Sequence, residues 1–92
     1  MGWLVIWKKR VEKQIRILPE PAMASFDALA EDIRQSGRVR GNWKNYSKLQ
    51  GDRHHCHIKS GRPTYVACWE VTDKVSKKVE VYYVGTHEKA PY

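Results

Sequence analysis

The run KLQGDRHHCHIKSGRPTYVACWEV, Lys48 to Val71, decides how this chain folds, because two of its segments alternate and the turn between them does not. Successive side chains of a strand point to opposite faces. In His54–Lys59, then, His54, Cys56 and Ile58 share one side while His55, His57 and Lys59 share the other. Cys56 and Ile58 are the apolar pair and are expected to face a core, which leaves the second set on an open face. In the next strand, Thr64–Val71, the core stripe is Tyr65, Ala67, Trp69 and Val71, with Thr64, Val66, Cys68 and Glu70 opposite. Ser60-Gly61-Arg62-Pro63 is short enough to join the two as an antiparallel hairpin.

Working outward, Thr72–Lys77 is a second short link and Lys78–Val84 a third strand. Upstream, Arg38 to Gly51 has no sustained period and reads as a long connection, a length that commonly carries function in a small domain. Before it, Met23, Phe26, Leu29, Ala30 and Ile33 recur at helical spacing from Pro21, and Gly37 closes the helix. An earlier helix starts at Lys8 with Val11, Ile15 and Leu18 inward, until Pro19 stops it. Trp3–Trp7 is a first strand, rich in β-branched and aromatic residues. The order β-α-α-β-β-β predicts one α+β domain over residues 1–92. Its two layers are a helical hairpin, with the N-terminal strand, packed on a mainly antiparallel four-stranded sheet.

Composition agrees with one small core: 92 residues with four Trp, five Tyr and one Phe supply enough apolar area without a metal or a disulfide. Two cysteines in such a chain are far from a secreted disulfide framework, so a reduced, cytoplasmic setting is expected. WLVIW is too short an apolar run for a signal peptide or membrane span, so no membrane partner is expected. The net charge of +7 calls for a polyanionic partner. From Arg38 to Arg62, seven Lys or Arg face Asp52 alone, and Trp43 and Tyr46 are interleaved with them. Cations mixed with aromatics suit phosphates and unstacked bases. The expected RNA-binding set is Arg38, Arg40, Trp43, Lys44, Tyr46, Lys48, Arg53 and His55; the alternative is a solvated, solubilising surface.

Strand, helical hairpin, the Leu49-Gln50-Gly51 turn, the alternating His55-Cys56-His57-Ile58-Lys59 strand and the ending Val84-Gly85-Thr86-His87 with a terminal Tyr92 together resemble the RelE/ParE superfamily of bacterial toxins from toxin–antitoxin pairs. The resemblance covers nearly the whole chain in element order. RelE-like members carry alternating basic residues on the open face of the strand after the Leu-x-Gly turn, and His57 and Lys59 fall there. Many relatives place an arginine where this chain has Val66, the nearest substitute being Arg62. The resemblance implies cleavage of messenger RNA in the ribosomal decoding site, without metal or other cofactor, and an antitoxin partner through which the pair could contact DNA indirectly. ParE-like members act on gyrase instead, and a non-catalytic nucleic-acid-binding domain is the third possibility.

The chemistry needs few groups: a base for the ribose 2′-OH, cations for the added negative charge and an acid for the departing 5′-oxygen. Imidazole can serve as acid or base near neutral pH, so His87 and His57 are the expected proton-transfer pair, with His55 in support. Lys59 and Arg62 would stabilise the phosphate, and Tyr92, if ordered, would stack on a base or hydrogen-bond the scissile phosphate. Each of these residues also has an ordinary reading, as exposed polarity on a strand or turn. Zinc is disfavoured because Cys56 is expected to face away from the histidines, leaving fewer than the four converging ligands of a structural site.

Overall fold

The computed structural model describes residues 2–92. Its elements run β1 (Leu4–Trp7), α1 (Lys9–Arg16), α2 (Glu20–Ser36), β2 (Ser47–Lys48), β3 (Arg53–Lys59), β4 (Tyr65–Asp73), β5 (Lys78–Thr86) and a last 3-10 turn, His87–Lys89. The strands form one sheet in the order β1-β5-β4-β3-β2, antiparallel except for the β1–β5 pair. The α+β architecture is as expected, with one addition. A fifth strand, β2, pairs Ser47 with His55 and Lys48 with His54 inside the long connection. Two residues carry no readable period, which is why the sequence predicted only four strands.

The helices form because their apolar residues share a face, not because their ends are capped: neither N-terminus has a side-chain cap. Val11, Ile15 and Leu18 from α1 and its exit meet Ala22, Phe26, Leu29, Ala30 and Ile33 from α2. Beneath them lie Cys56, Ile58, Ala67, Trp69, Val79, Val81 and Val84 of the sheet. Phe26 is almost wholly buried and meets the Trp7 ring edge-on at 5.5 Å. Trimming such an aromatic to alanine costs about 3–5 kcal/mol. α1 ends at Arg16, a little before the proline that was expected to stop it, and Ile17 is left 83% exposed.

Two features of this packing set up the far end of the sheet. β1 stops opposite Val81, so the next free backbone donor on that edge of β5, the N–H of Val84, bonds to the side-chain Oε1 of Gln14 on α1 at 3.0 Å. At the other end of α2, Gly37 has φ of 97° and donates to the carbonyl of Ile33. A Cβ there would sit 3.1 Å from Nε1 of Trp3, so the chain leaves the helix against the tryptophan only because residue 37 is glycine.

Candidate nucleic-acid interface and catalytic groove

The long connection is pinned by its own polar residues. Asp32 on α2 accepts from Arg40 at 2.9 Å, from Nε1 of Trp43 at 2.9 Å and from Asn42 at 3.2 Å. These three hydrogen bonds, with the Arg40 charge beside them, hold its carboxyl below the usual range. Asp52 accepts from His54 Nε2 at 2.6 Å and pairs with Arg38 at 3.2 Å. His54 is completely buried, stacked on Trp69 with ring centroids 5.8 Å apart and on Tyr46 at 5.9 Å. With Nε2–H given to Asp52, its Nδ1 accepts from the Tyr46 hydroxyl at 2.7 Å. Burial drives its pKa down more than Asp52 drives it up, so this imidazole is neutral near pH 7.

These contacts rearrange the predicted RNA-binding set. Arg38 is also stacked over the Trp3 ring, Arg40 is largely covered, and Trp43 and Tyr46 pack on the core. Lys48 bonds the carbonyl of Gly51, and Arg53 lies between Glu70 and the Tyr82 ring. Of the eight residues, Lys44 and Lys48 keep exposed side chains with no carboxylate within 4.0 Å among the described residues, and of the two it is Lys44 that borders the chemical end of the sheet. The physical reason is that Asp32 and Glu70 come from outside the basic stretch and that Asp52 inside it meets Arg38 only through the fold; local charge counting does not see the folded neighbours.

At that end His57, Val66 and Gly85 are cross-strand neighbours, as are His55, Cys68 and Tyr83 one row away. β4 is therefore the middle of a face whose two rims are β3 and the end of β5. His87 follows directly, its N–H bonded to the carbonyl of Thr64 at 2.8 Å, which brings its ring to 5.6 Å from that of His57, centroid to centroid. The two imidazoles look into the same groove, of about 1060 Å³, together with Arg62 and Lys89. Its other wall is apolar, from Ile17 and Leu18 of the helical layer to Pro63 and Tyr65. Gly85 makes the bend possible: a Cβ there would lie 2.7 Å from the Tyr83 hydroxyl, which donates to the carbonyl of Thr86 at 2.7 Å.

The expected open face is not open throughout. The chain turns back after Lys89 and lays the Tyr92 ring on His55, centroids 4.2 Å apart, and nearly perpendicular to the His87 ring, centroids 6.0 Å apart. Val66 and Cys68 are fully buried on this side, and His55 is only 9% exposed, its Nε2 3.3 Å from the hydroxyl of Ser47 and its Nδ1 without a partner among the described residues. His55 is thus a support under the tail and does not form part of an exposed RNA-binding surface. Burial, then the neighbouring histidines, lowers its pKa; the same causes, burial first and then His87 and Lys44, lower that of His57. Cys56 and Cys68 are both free and buried, and burial pushes each thiol up to about 12.

Lys59 departs from the alternation. A register shift between His57 and Lys59 sets Lys59 opposite Tyr65, so it leaves the row of His55 and His57. It lines a smaller recess of about 280 Å³ with Ser25, Trp43 and Lys44. His57 borders both hollows, with Arg62 on one side and Lys59 on the other. The bulge has no signature in the sequence beyond its nearness to the Gly61 turn. Gln14, Tyr83 and Lys89 were also missed, because nothing local marks a helix side chain or a tail as part of a sheet-end groove.

No protein-family model matches the chain, and no curated protein matches it by sequence. Among solved structures, an arginine double mutant of Escherichia coli RelE toxin in the free state superposes with a TM-score of 0.73 at 22% identity, covering 96% of this chain and 86% of that one. The isolated E. coli RelE toxin gives 0.72 at 21% identity, covering 98% and 89%. RelE from the RelE–RelB complex of the archaeon Pyrococcus horikoshii gives 0.70 at 16% identity, covering 98% of this chain and all of that one. With the same strand, helical hairpin and sheet over essentially the full length, this chain has the RelE toxin fold.

Proposed function

We propose that the chain is the toxin of a bacterial toxin–antitoxin pair, a ribosome-dependent endoribonuclease that cuts messenger RNA by attack of the 2′-OH on the neighbouring phosphorus and so inhibits translation. The observation that carries this reading is the pair of imidazoles, His57 and His87, facing one groove at 5.6 Å with Arg62 beside them. A single phosphodiester spans that separation, so one ring can reach the 2′-oxygen and the other the 5′-oxygen.

His57 is the base in this scheme. Partial burial and its cationic neighbours keep it neutral at the pH of the cell, with a lone pair to take the 2′-OH proton. His87, the exposed member on the terminal turn, gives a proton to the departing 5′-oxygen. Arg62 stabilises the charge that accumulates on the phosphate, and Lys59 and Lys44 hold the adjoining phosphate from the smaller recess. Tyr92, with its ring half exposed beside His55 and His87, offers a stacking surface to a base. Each role is filled by a side chain of the protein itself.

In the complex of E. coli RelE with a RelB peptide, and in the archaeal RelE–RelB complex, the toxin is bound to its antitoxin. A cognate antitoxin for this chain would be acidic where it meets the free cations around the groove, and DNA would be reached only through that complex. The setting is the cytoplasm, where messages and ribosomes are; among the described residues no helix is long and apolar enough to cross a membrane. The test is expression in bacterial cells with mapping of message ends. Growth arrest with cuts in translated messages, abolished by His57→Ala and His87→Ala, is the expected result. Arrest with every message intact overturns the nuclease assignment.

One observation favours a second reading. Val66 is fully buried on β4 between its cross-strand neighbours His57 and Gly85, where RelE-like sequences often carry arginine. A groove short of one cation suits a domain that binds nucleic acid without cutting it, and in that case His87→Ala leaves affinity unchanged.

A further inference from the structure

Not all of the unpaired cations of this protein lie where its sequence concentrates them. Arg38, Arg40 and Arg53 are in ion pairs, whereas Arg10 and Lys13 on α1 are exposed and have no carboxylate within 4.0 Å among the described residues. Their position on the helix gives them a direction. Residues 10, 13, 14 and 17 stand at i, i+3, i+4 and i+7, which is one stripe of a helix. Gln14 and Ile17 of that stripe line the groove that holds His57 and His87, so Arg10 and Lys13 continue the same wall along α1. The opposite flank differs: there Glu12 sits among the cations, 3.4 Å from Arg16 and hydrogen-bonded to Trp7 at 2.7 Å.

We infer that Arg10 and Lys13 form a phosphate-contacting rail that takes up single-stranded RNA as it leaves the groove past Ile17. The inference rests on the nuclease reading for its choice of RNA. Ile17 marks the junction: an isoleucine 83% exposed at the groove mouth is an apolar platform for a base, with cations on the same stripe for the phosphate that follows. A rail of two cations adds affinity without adding sequence preference, because phosphate contacts position a nucleic acid and do not read it.

The test compares two pairs of substitutions with the same change of net charge: Arg10→Gln with Lys13→Gln, and Lys9→Gln with Arg16→Gln. Binding of a fluorescent single-stranded RNA about a dozen nucleotides long to the purified full chain is measured from low to moderate salt. Loss of two phosphate contacts lowers the slope of log K against log salt by about 1.4 in the first pair, while the second stays within about 0.3 of wild type. Melting temperatures close to wild type in both pairs show that the fold is kept. Equal drops in the two pairs mean diffuse charge, and no drop in the first means a solvated or protein-facing helix; either result overturns the rail. Message cutting in cells is scored separately. Cutting with an unchanged slope, or with a wild-type chain that binds no free RNA, sinks the rail alone, and an altered slope without cutting sinks the nuclease reading alone.

Discussion

The connection from Arg38 to Asp52 and the sheet end formed by His57, Arg62 and His87 are alike in composition and opposite in use. In the first, nearly every charged or aromatic side chain has an intramolecular partner: Asp32 gathers three donors, and Asp52 gathers His54 and Arg38. In the second, His57, Arg62 and His87 line a groove and, among the described residues, none has a carboxylate within 4.0 Å, although Glu88 shares the lining. A polar residue with its partners supplied by the fold stabilises the fold, and one left without is available to a ligand. The difference teaches that basic character alone does not identify a binding surface; the position of the acids does.

That contrast breaks if substitutions in the two regions have the same effect. The largest separation is expected from His87→Ala, which should lower RNA cleavage by about a hundredfold or more, the contribution of one proton-transfer group. Its melting temperature should stay near that of wild type, since the His87 ring is exposed. Asp32→Ala should do the reverse, lowering stability in urea by about 2 kcal/mol because Arg40, Trp43 and Asn42 lose a shared charged acceptor. A cleavage defect in Asp32→Ala larger than its unfolded fraction explains would blur the two regions.

Acid should act on both regions together. Burial lowers the pKa of His54, His55 and His57 in the folded chain, so below about 6.5, the ordinary histidine value, the unfolded chain takes up protons that the folded chain refuses. Stability therefore falls as pH drops from 7.5 through 6, well above the range in which Asp32 and Asp52 would be protonated. A thermal melting temperature flat across that interval would count against neutral buried imidazoles. The smallest effect belongs to Arg53→Gln: its pairing with Glu70 at 3.4 Å is solvent-exposed, and its loss should cost under about 0.5 kcal/mol.

Most of the fold was legible because it rests on period. Phe26, Leu29 and Ile33 repeat as a helix face must, and Cys56, Ile58, Ala67 and Trp69 alternate as a half-buried sheet must, and all of them enter the core. The side taken by His57 was legible for the same reason, as strand parity, whereas its meeting with His87 was an expectation from the resemblance to RelE-like sequences. What depended on partners distant in sequence was not. Asp32 lies outside the basic stretch whose arginine it neutralises, and Asp52 reads in the sequence as a lone acid although it stands just before β3, two residues from the buried ring it holds. Lys59 was lost to a one-residue bulge, and the seating of Tyr92 on His55 depends on a tail that no local pattern describes.

The two-residue β2 has a consequence for how such a protein behaves at high concentration. It closes one margin of the sheet with only Ser47 and Lys48, both exposed, the lysine charged. So brief a border offers a neighbouring molecule too few amide and carbonyl groups to template on, and a cation at the rim repels an identical copy. By making the last rung of the ladder short, the connection guards the histidine-bearing strand behind it from growing into a fibre.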